Sequence, residues 1–159
     1  MPRVNRLLQL VRRAKGLLMY NHILVPLDES DIAEAALVHA EGLAKCTQAR
    51  LTLISVLPLD PDTVSSSEAT RALARRRKEL RDYLRTRCAR LEEEGLSCHP
   101  SVREGDVGEE LAKYAEGHDC DLILMATHGR RGLARWIHGS VVERVLTQTK
   151  TPVLIVHAE

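Results

Sequence analysis

Residues 22–57 read HILVPLDESDIAEAALVHAEGLAKCTQARLTLISVL. The opening His22-Ile23-Leu24-Val25-Pro26-Leu27 is a short continuous apolar run, the pattern of a strand buried on both faces. Ser30-Asp31 follows as a helix N-cap, with Glu34 three residues after Asp31 as a capping-box partner. Ala33, Ala36, Leu37, Ala40 and Ala44 then recur at helical spacing to about Lys45. Leu51 to Leu57 is a second apolar run. Strand, helix and strand in this order make a crossover unit, which is what two parallel strands require.

The same alternation continues to the end of the chain. Pro58, Pro61 and three serines mark residues 58–67 as a loop. A long charged helix is expected from about Glu68 to Glu94, with Leu73, Leu80, Leu84 and Leu91 as its buried stripe. The Arg71 to Lys78 cluster on it reads as a solvated face, with a phosphate or nucleic-acid patch as the alternative, because Glu79, Asp82 and Glu92 to Glu94 follow. Gly95 ends it. Ser97 to Arg103 is a weakly alternating third strand, and Asp106 with Glu109 caps a helix running through Ala115. Asp121 to Ala126 is the fourth strand, Ser140 to Thr149 a short helix, and Pro152 to His157 the last strand. Five strands alternating with helices predict a single α/β domain, a doubly wound parallel sheet with helices on both faces. Ligands of such sheets bind past the carboxyl ends of the strands, where the winding reverses. The loops after the strands are therefore where chemistry is expected.

Bulk properties exclude several classes. The 159 residues suit one domain, and 44% of them are apolar, enough for a real core. Lys and Arg nearly balance Asp and Glu at a net +1, and the aromatics are Tyr20, Tyr83, Tyr114 and Trp136 alone. Neither a global basic field nor a set of base-stacking rings argues for nucleic acid. Cys46, Cys88, Cys98 and Cys120 form no C-x-x-C pair and no metal-finger spacing, and read as buried free thiols in a reducing compartment. No apolar run reaches the roughly 20 residues that span a bilayer. A cytoplasmic protein is expected. Residues 1–18 stand apart: five basic residues, no acid, and Val4, Leu7, Leu8, Val11 and Leu18 at helical spacing. They read as a basic amphipathic extension preceding the domain at 19–159, with contact to an anionic membrane surface as the alternative role.

The most informative loop follows the fourth strand: Ala126-Thr127-His128-Gly129-Arg130-Arg131-Gly132, continuing through Trp136 to Gly139-Ser140-Val141-Val142-Glu143. Glycines let a backbone turn tightly and approach a phosphate. Gly139-Ser140 precedes a helix, whose free N–H groups and dipole favour an anion. Arg130 and Arg131 add positive charge nearby. Ser140 with Glu143 is equally a plain capping box that needs no ligand. Neither the P-loop pattern nor G-x-G-x-x-G occurs. His128 as a general base lacks an orienting partner nearby in sequence, and His138 reads as structural, so no catalytic residue is assigned.

From Tyr20 onward the chain resembles the universal stress protein family. HILVPLDES matches its first strand and the loop carrying its Asp; DLILMATHGRRGLARWIHGSVVERVLTQTKTPVLIV matches its closing segment. ATP-binding members carry G-x-x-G-x9-G-[ST], and Gly129, Gly139 and Ser140 fit that spacing, with Ala126 in place of the first glycine. The resemblance implies strand order 3-2-1-4-5 and a nucleotide-dependent regulator of the stress response with at most slow ATP hydrolysis. It implies that Pro26, Leu27 and Asp28 line the adenine and ribose pocket, with Leu51 against adenine and Met125 and Ala126 on the ribose side. Gly129, Gly139, Ser140, Val141 and Val142 would hold the phosphates, with Mg²⁺ carried largely by those phosphates and no protein metal site. It also implies a homodimer through the last strand. The alternatives are an interaction module of the same family that binds no nucleotide, suggested by Ala126, and an adenylyl-transferring enzyme.

Overall fold

A computed structural model describes residues 20–59, 67–128 and 141–158. The strands are β1 (His22–Pro26), β2 (Arg50–Leu57), β3 (Cys98–Glu104), β4 (Leu122–His128) and β5 (Val153–Ala158). Between them run α1 (Asp31–Thr47), α2 (Ser67–Glu93), α3 (Val107–Gly117) and α4 (Val141–Gln148). All five strands are parallel, in the order β3-β2-β1-β4-β5. This is the doubly wound sheet read from the alternation. The expected extension over 1–18 lies outside the described residues, and so do residues 60–66 of the loop expected at 58–67.

Alternate residues of the central strands feed two cores. Ile23, Val25, Leu27, Leu51, Leu53, Leu122 and Leu124 pack under α1 and α2, against Ala36, Leu37, Ala40, Leu84 and Leu91. Leu24, Ile54, Ile123 and Met125 pack under α3 and α4, against Leu111, Tyr114, Ala115 and Val145. Burial on both faces explains why β1 and β4 read as unbroken apolar runs. Leu73, expected in the buried stripe of α2, is half-buried, and Cys88 joins Leu80, Leu84 and Leu91 there instead.

Two local readings change. Ser30 is the N-cap of α1, its Oγ accepting from Ala33 N at 3.2 Å. Glu34 does not turn back to complete a capping box: its Oε1 accepts from Tyr83 Oη at 2.5 Å and Arg87 Nε at 2.8 Å, both on α2. A tertiary ion pair outcompetes the local hydrogen bond, and the Tyr83 hydroxyl is pushed up by burial and then by Glu34. The cysteines are not all buried free thiols either. Cys88 and Cys98 form a disulfide, because the last turns of α2 lie over the start of β3 and bring their Cα atoms to 5.2 Å. Cys46 is free but exposed, and Cys120 is free and buried, its thiol pushed up to about 12 by burial.

At the amino edge of the sheet a polar cluster surrounds His22, which is buried. Its Nδ1 faces the carbonyl of His118 at 3.0 Å and its Nε2 the hydroxyl of Thr52 at 2.8 Å. Nδ1 also lies 3.0 Å from Arg50 Nη2, so the same ring nitrogen faces a carbonyl that can only accept and a guanidinium that can only donate. Burial, and next the neighbouring Arg50 guanidinium, lowers the pKa of His22. Asp121 Oδ2 accepts from the backbone N–H groups of Asn21 and His22 at 2.6 and 2.9 Å. No described helix is long and apolar enough to cross a membrane.

Candidate functional site

β1 is the switch point of the sheet: β2 and β3 lie to one side of it, β4 and β5 to the other. β1 pairs with β2 over five residue pairs, and β4 with β5 over six. β1 and β4 share only two, Ile23 with Leu122 and Leu24 with Ile123. Registered pairing ends at Leu24 with Ile123, while Val25 and Leu124 stay fully buried in one core; the carboxyl ends of β1 and β4, at Pro26 and Met125, flank the switch point. That is the crevice where doubly wound folds bind ligands.

The β1–α1 loop borders this crevice and is firmly placed. The Leu27 N–H donates to the Ile54 carbonyl at 2.8 Å, and Ser55 Oγ donates to the Leu27 carbonyl at 2.7 Å. The Leu27 side chain is buried under α1 and α2, so this residue is a pillar of the loop rather than a wall of the crevice. Asp28 is exposed, and its Oδ1 accepts from Ser30 N at 3.1 Å and Ser30 Oγ at 2.5 Å. Pro26 is half-buried beside it.

On the other bank stand Met125, buried under α3 and α4, and Val141 and Val142, half-buried against the same cluster at the start of α4. Ala126 points the other way, packing against the cluster under α1 and α2. α4 is held close to α3: a Cβ on Gly108 would come within 2.7 Å of Arg144 Cβ, and Arg144 Nη1 donates to Asp106 Oδ2 at 2.8 Å. Asp106 is also the N-cap of α3, accepting from Glu109 N at 3.0 Å. Gly129, Arg130, Gly139 and Ser140 lie outside the described residues, as do the side chain of His128 and all of His138.

One expected residue is not brought to this place. Leu51 pairs with Ile23 near the amino end of β2 and is fully buried under α1 and α2. At ~3.3 Å per residue it lies about 16 Å along the strand from the next-to-last residue of β2. That residue is Val56, two beyond Ile54, which is level with Pro26. Val56 is half-buried and packs with the Met125 and Val142 cluster. Sequence reasoning missed it, although in a parallel sheet the end of each strand, not its start, faces the site.

The assembled crevice therefore has an apolar floor (Val56, Met125, Val141, Val142) and one oriented carboxylate at its rim (Asp28). Such a set suits a flat, partly apolar ligand with hydrogen-bond donors of its own, as a nucleoside has. Among the described residues no group of three or more His, Cys, Asp or Glu is placed to hold a metal ion.

Comparison with known proteins agrees with this architecture. The model of the universal stress protein family matches residues 19–157. Universal stress protein MJ0531 of Methanocaldococcus jannaschii is 34% identical over 140 residues, 87% of this chain and 82% of the relative. The solved structure of MJ0577, from the same organism, superposes with a TM-score of 0.76 at 29% identity, covering 89% of this chain and 99% of that one. A universal stress protein from Archaeoglobus fulgidus, solved in complex with dAMP, shares the fold at a TM-score of 0.60 and 19% identity, over 87% of this chain and 98% of that one.

Proposed function

The chain belongs to the universal stress protein family, and on that premise we propose that it binds ATP in the crevice between β1 and β4 and acts as a nucleotide-dependent regulator in the stress response. The observation that carries this reading is the switch point between the carboxyl ends of β1 and β4, with the Ser30-oriented carboxylate of Asp28 at its rim. Asp28 is acceptor-only and takes donors of the nucleoside. Val56, Met125 and Val142 offer apolar contact, and Pro26 and Ala126 flank the opening. Gly129, Gly139, Ser140 and Val141 supply backbone N–H groups and a hydroxyl for the phosphates, with Arg130 adding charge. Mg²⁺ comes with the phosphates rather than in a protein cage. Fast hydrolysis needs a positioned base and metal, so turnover is slow at most. An adenine nucleotide, dAMP, is what the Archaeoglobus fulgidus protein of the same fold holds.

The alternative of an interaction module without nucleotide rests on Ala126. Its methyl packs toward α1 and α2, away from the face that carries Val56 and Met125, and so does not fill the crevice floor. Dimerisation through β5 fits the same reading. β5 is an edge strand with Leu154 43% exposed, and an uncovered apolar edge invites a second strand. A cytoplasmic location completes the proposal, and there the Cys88–Cys98 disulfide would be open to reduction.

The test is calorimetric titration of Mg-ATP into nucleotide-free protein, beside a Gly139→Val, Ser140→Ala double variant. Micromolar binding in the parent and none in the variant is expected. No binding in the parent overturns the proposal in favour of the interaction module.

A further inference from the structure

Glu29, next to Asp28, has a backbone φ of +66°, a left-handed conformation that non-glycine residues adopt at a cost in strain. Such a residue persists when its surroundings hold it there. Its carboxylate is paired with the guanidinium of Arg76, far along the chain on α2. Arg76 is steadied from its own helix by Glu79, at 3.4 Å. Its neighbour Arg77 pairs with Glu104, the last residue of β3, so two consecutive arginines reach two different loops of the carboxyl edge. About two and three turns further on, Tyr83 and Arg87 grip Glu34 in the first turn of α1. The segment from Glu29 to Glu34 is thus fastened to α2 at both ends, and Leu27 to β2 in front of it. Asp28 sits between these anchors.

Two adjacent carboxylates, Asp28 and Glu29, compete for the rim of the crevice. Arg76 engages Glu29 from α2, while Ser30 engages only one oxygen of Asp28. Removing Arg76 leaves Glu29 strained without compensation, since the strain and the worth of a half-exposed ion pair are of the same order. The loop then relaxes, and Asp28 turns with it.

We propose that Glu29 and Arg76 are positioning residues of the nucleotide site, a clasp between α2 and the β1–α1 loop that decides which carboxylate faces the ligand. The inference rests on the nucleotide reading above. It adds that α2, which forms no wall of the crevice, sets its affinity.

The test is a double-mutant cycle on the full chain, read by calorimetric titration of Mg-ATP. Arg76→Ala and Glu29→Gln should each weaken binding about fivefold, the size of coupling seen within one contact network. In an Asp28→Asn background Arg76→Ala should cost nothing further. The exchanged pair Glu29→Arg with Arg76→Glu should recover most of the loss. These are surface side chains, and circular dichroism checks that each variant keeps its fold. Unchanged affinity in Arg76→Ala, an equal loss in both backgrounds, or no recovery in the exchanged pair overturns the clasp while leaving nucleotide binding intact. A parent that binds no Mg-ATP overturns the nucleotide reading itself, and the clasp with it.

Discussion

Replacing Gly108 with alanine introduces a methyl where α3 packs directly against α4. The new Cβ would lie 2.7 Å from Arg144 Cβ, 3.1 Å from Gln148 Oε1 and 3.3 Å from the Arg144 carbonyl carbon. Carbon atoms in contact sit ~3.5–4.0 Å apart, so α4 must retreat from α3 by about 0.8 Å or more. Its Cβ partner is fixed to the backbone, and no side-chain rotation relieves the clash. Overpacking of this kind costs about 1–3 kcal/mol, and each kcal/mol lowers the melting temperature of a chain this size by about 2–4 °C. The same substitution at Gly42 serves as the control. Gly42 lies inside α1, and its added Cβ would meet nothing within 4 Å. There alanine should gain roughly 0.5–1 kcal/mol, because it loses less backbone freedom than glycine on folding. Urea and thermal unfolding followed by circular dichroism read both. The two variants should move in opposite directions, and Gly108→Ala should also weaken Mg-ATP binding, since Val141 and Val142 move with α4. Stability at or above the parent in Gly108→Ala refutes the reasoning about the α3–α4 contact.

Two further outcomes follow from the edges of the sheet. His22 is held neutral, its pKa below 6.5 through burial and then Arg50. The unfolded chain therefore takes up this proton first, so the stability His22 contributes is complete above about pH 6.5 and is lost as pH falls from there toward its native value. Urea midpoints between pH 8 and 5 should decline less steeply in His22→Gln than in the parent; equal slopes would rule His22 out as the cause. At the opposite flank, Leu154→Glu with Ile155→Lys should convert a dimer to monomers in light scattering after size exclusion. An unchanged mass removes β5 as the interface.

Much of this protein was legible before its structure. The apolar runs at His22 to Leu27 and Leu51 to Leu57, with an amphipathic segment capped by Ser30 between them, specify strand, helix and strand through local steric and hydrophobic periodicity alone. The Asp28 loop and the glycine spacing after β4 were visible for the same reason: each signal lies within a few neighbouring residues. Tertiary structure decided what depends on register and on facing partners. Leu51 and Val56 look alike as members of one apolar run, yet pairing with Ile23 sends the first into the core near the amino end and leaves the second at the crevice. Glu34 carries a capping-box signature, but Tyr83 and Arg87 claim it from α2. Cys88 and Cys98 show no recognised spacing, and only the turn from α2 into β3 brings them together. Glu29 and Arg76 are anonymous charges in the sequence, and their pairing across the mouth of a loop exists only because α2 packs where it does. Local chemistry is encoded in the order of the residues; the identity of each residue's partner is settled only when the two faces of the sheet are covered.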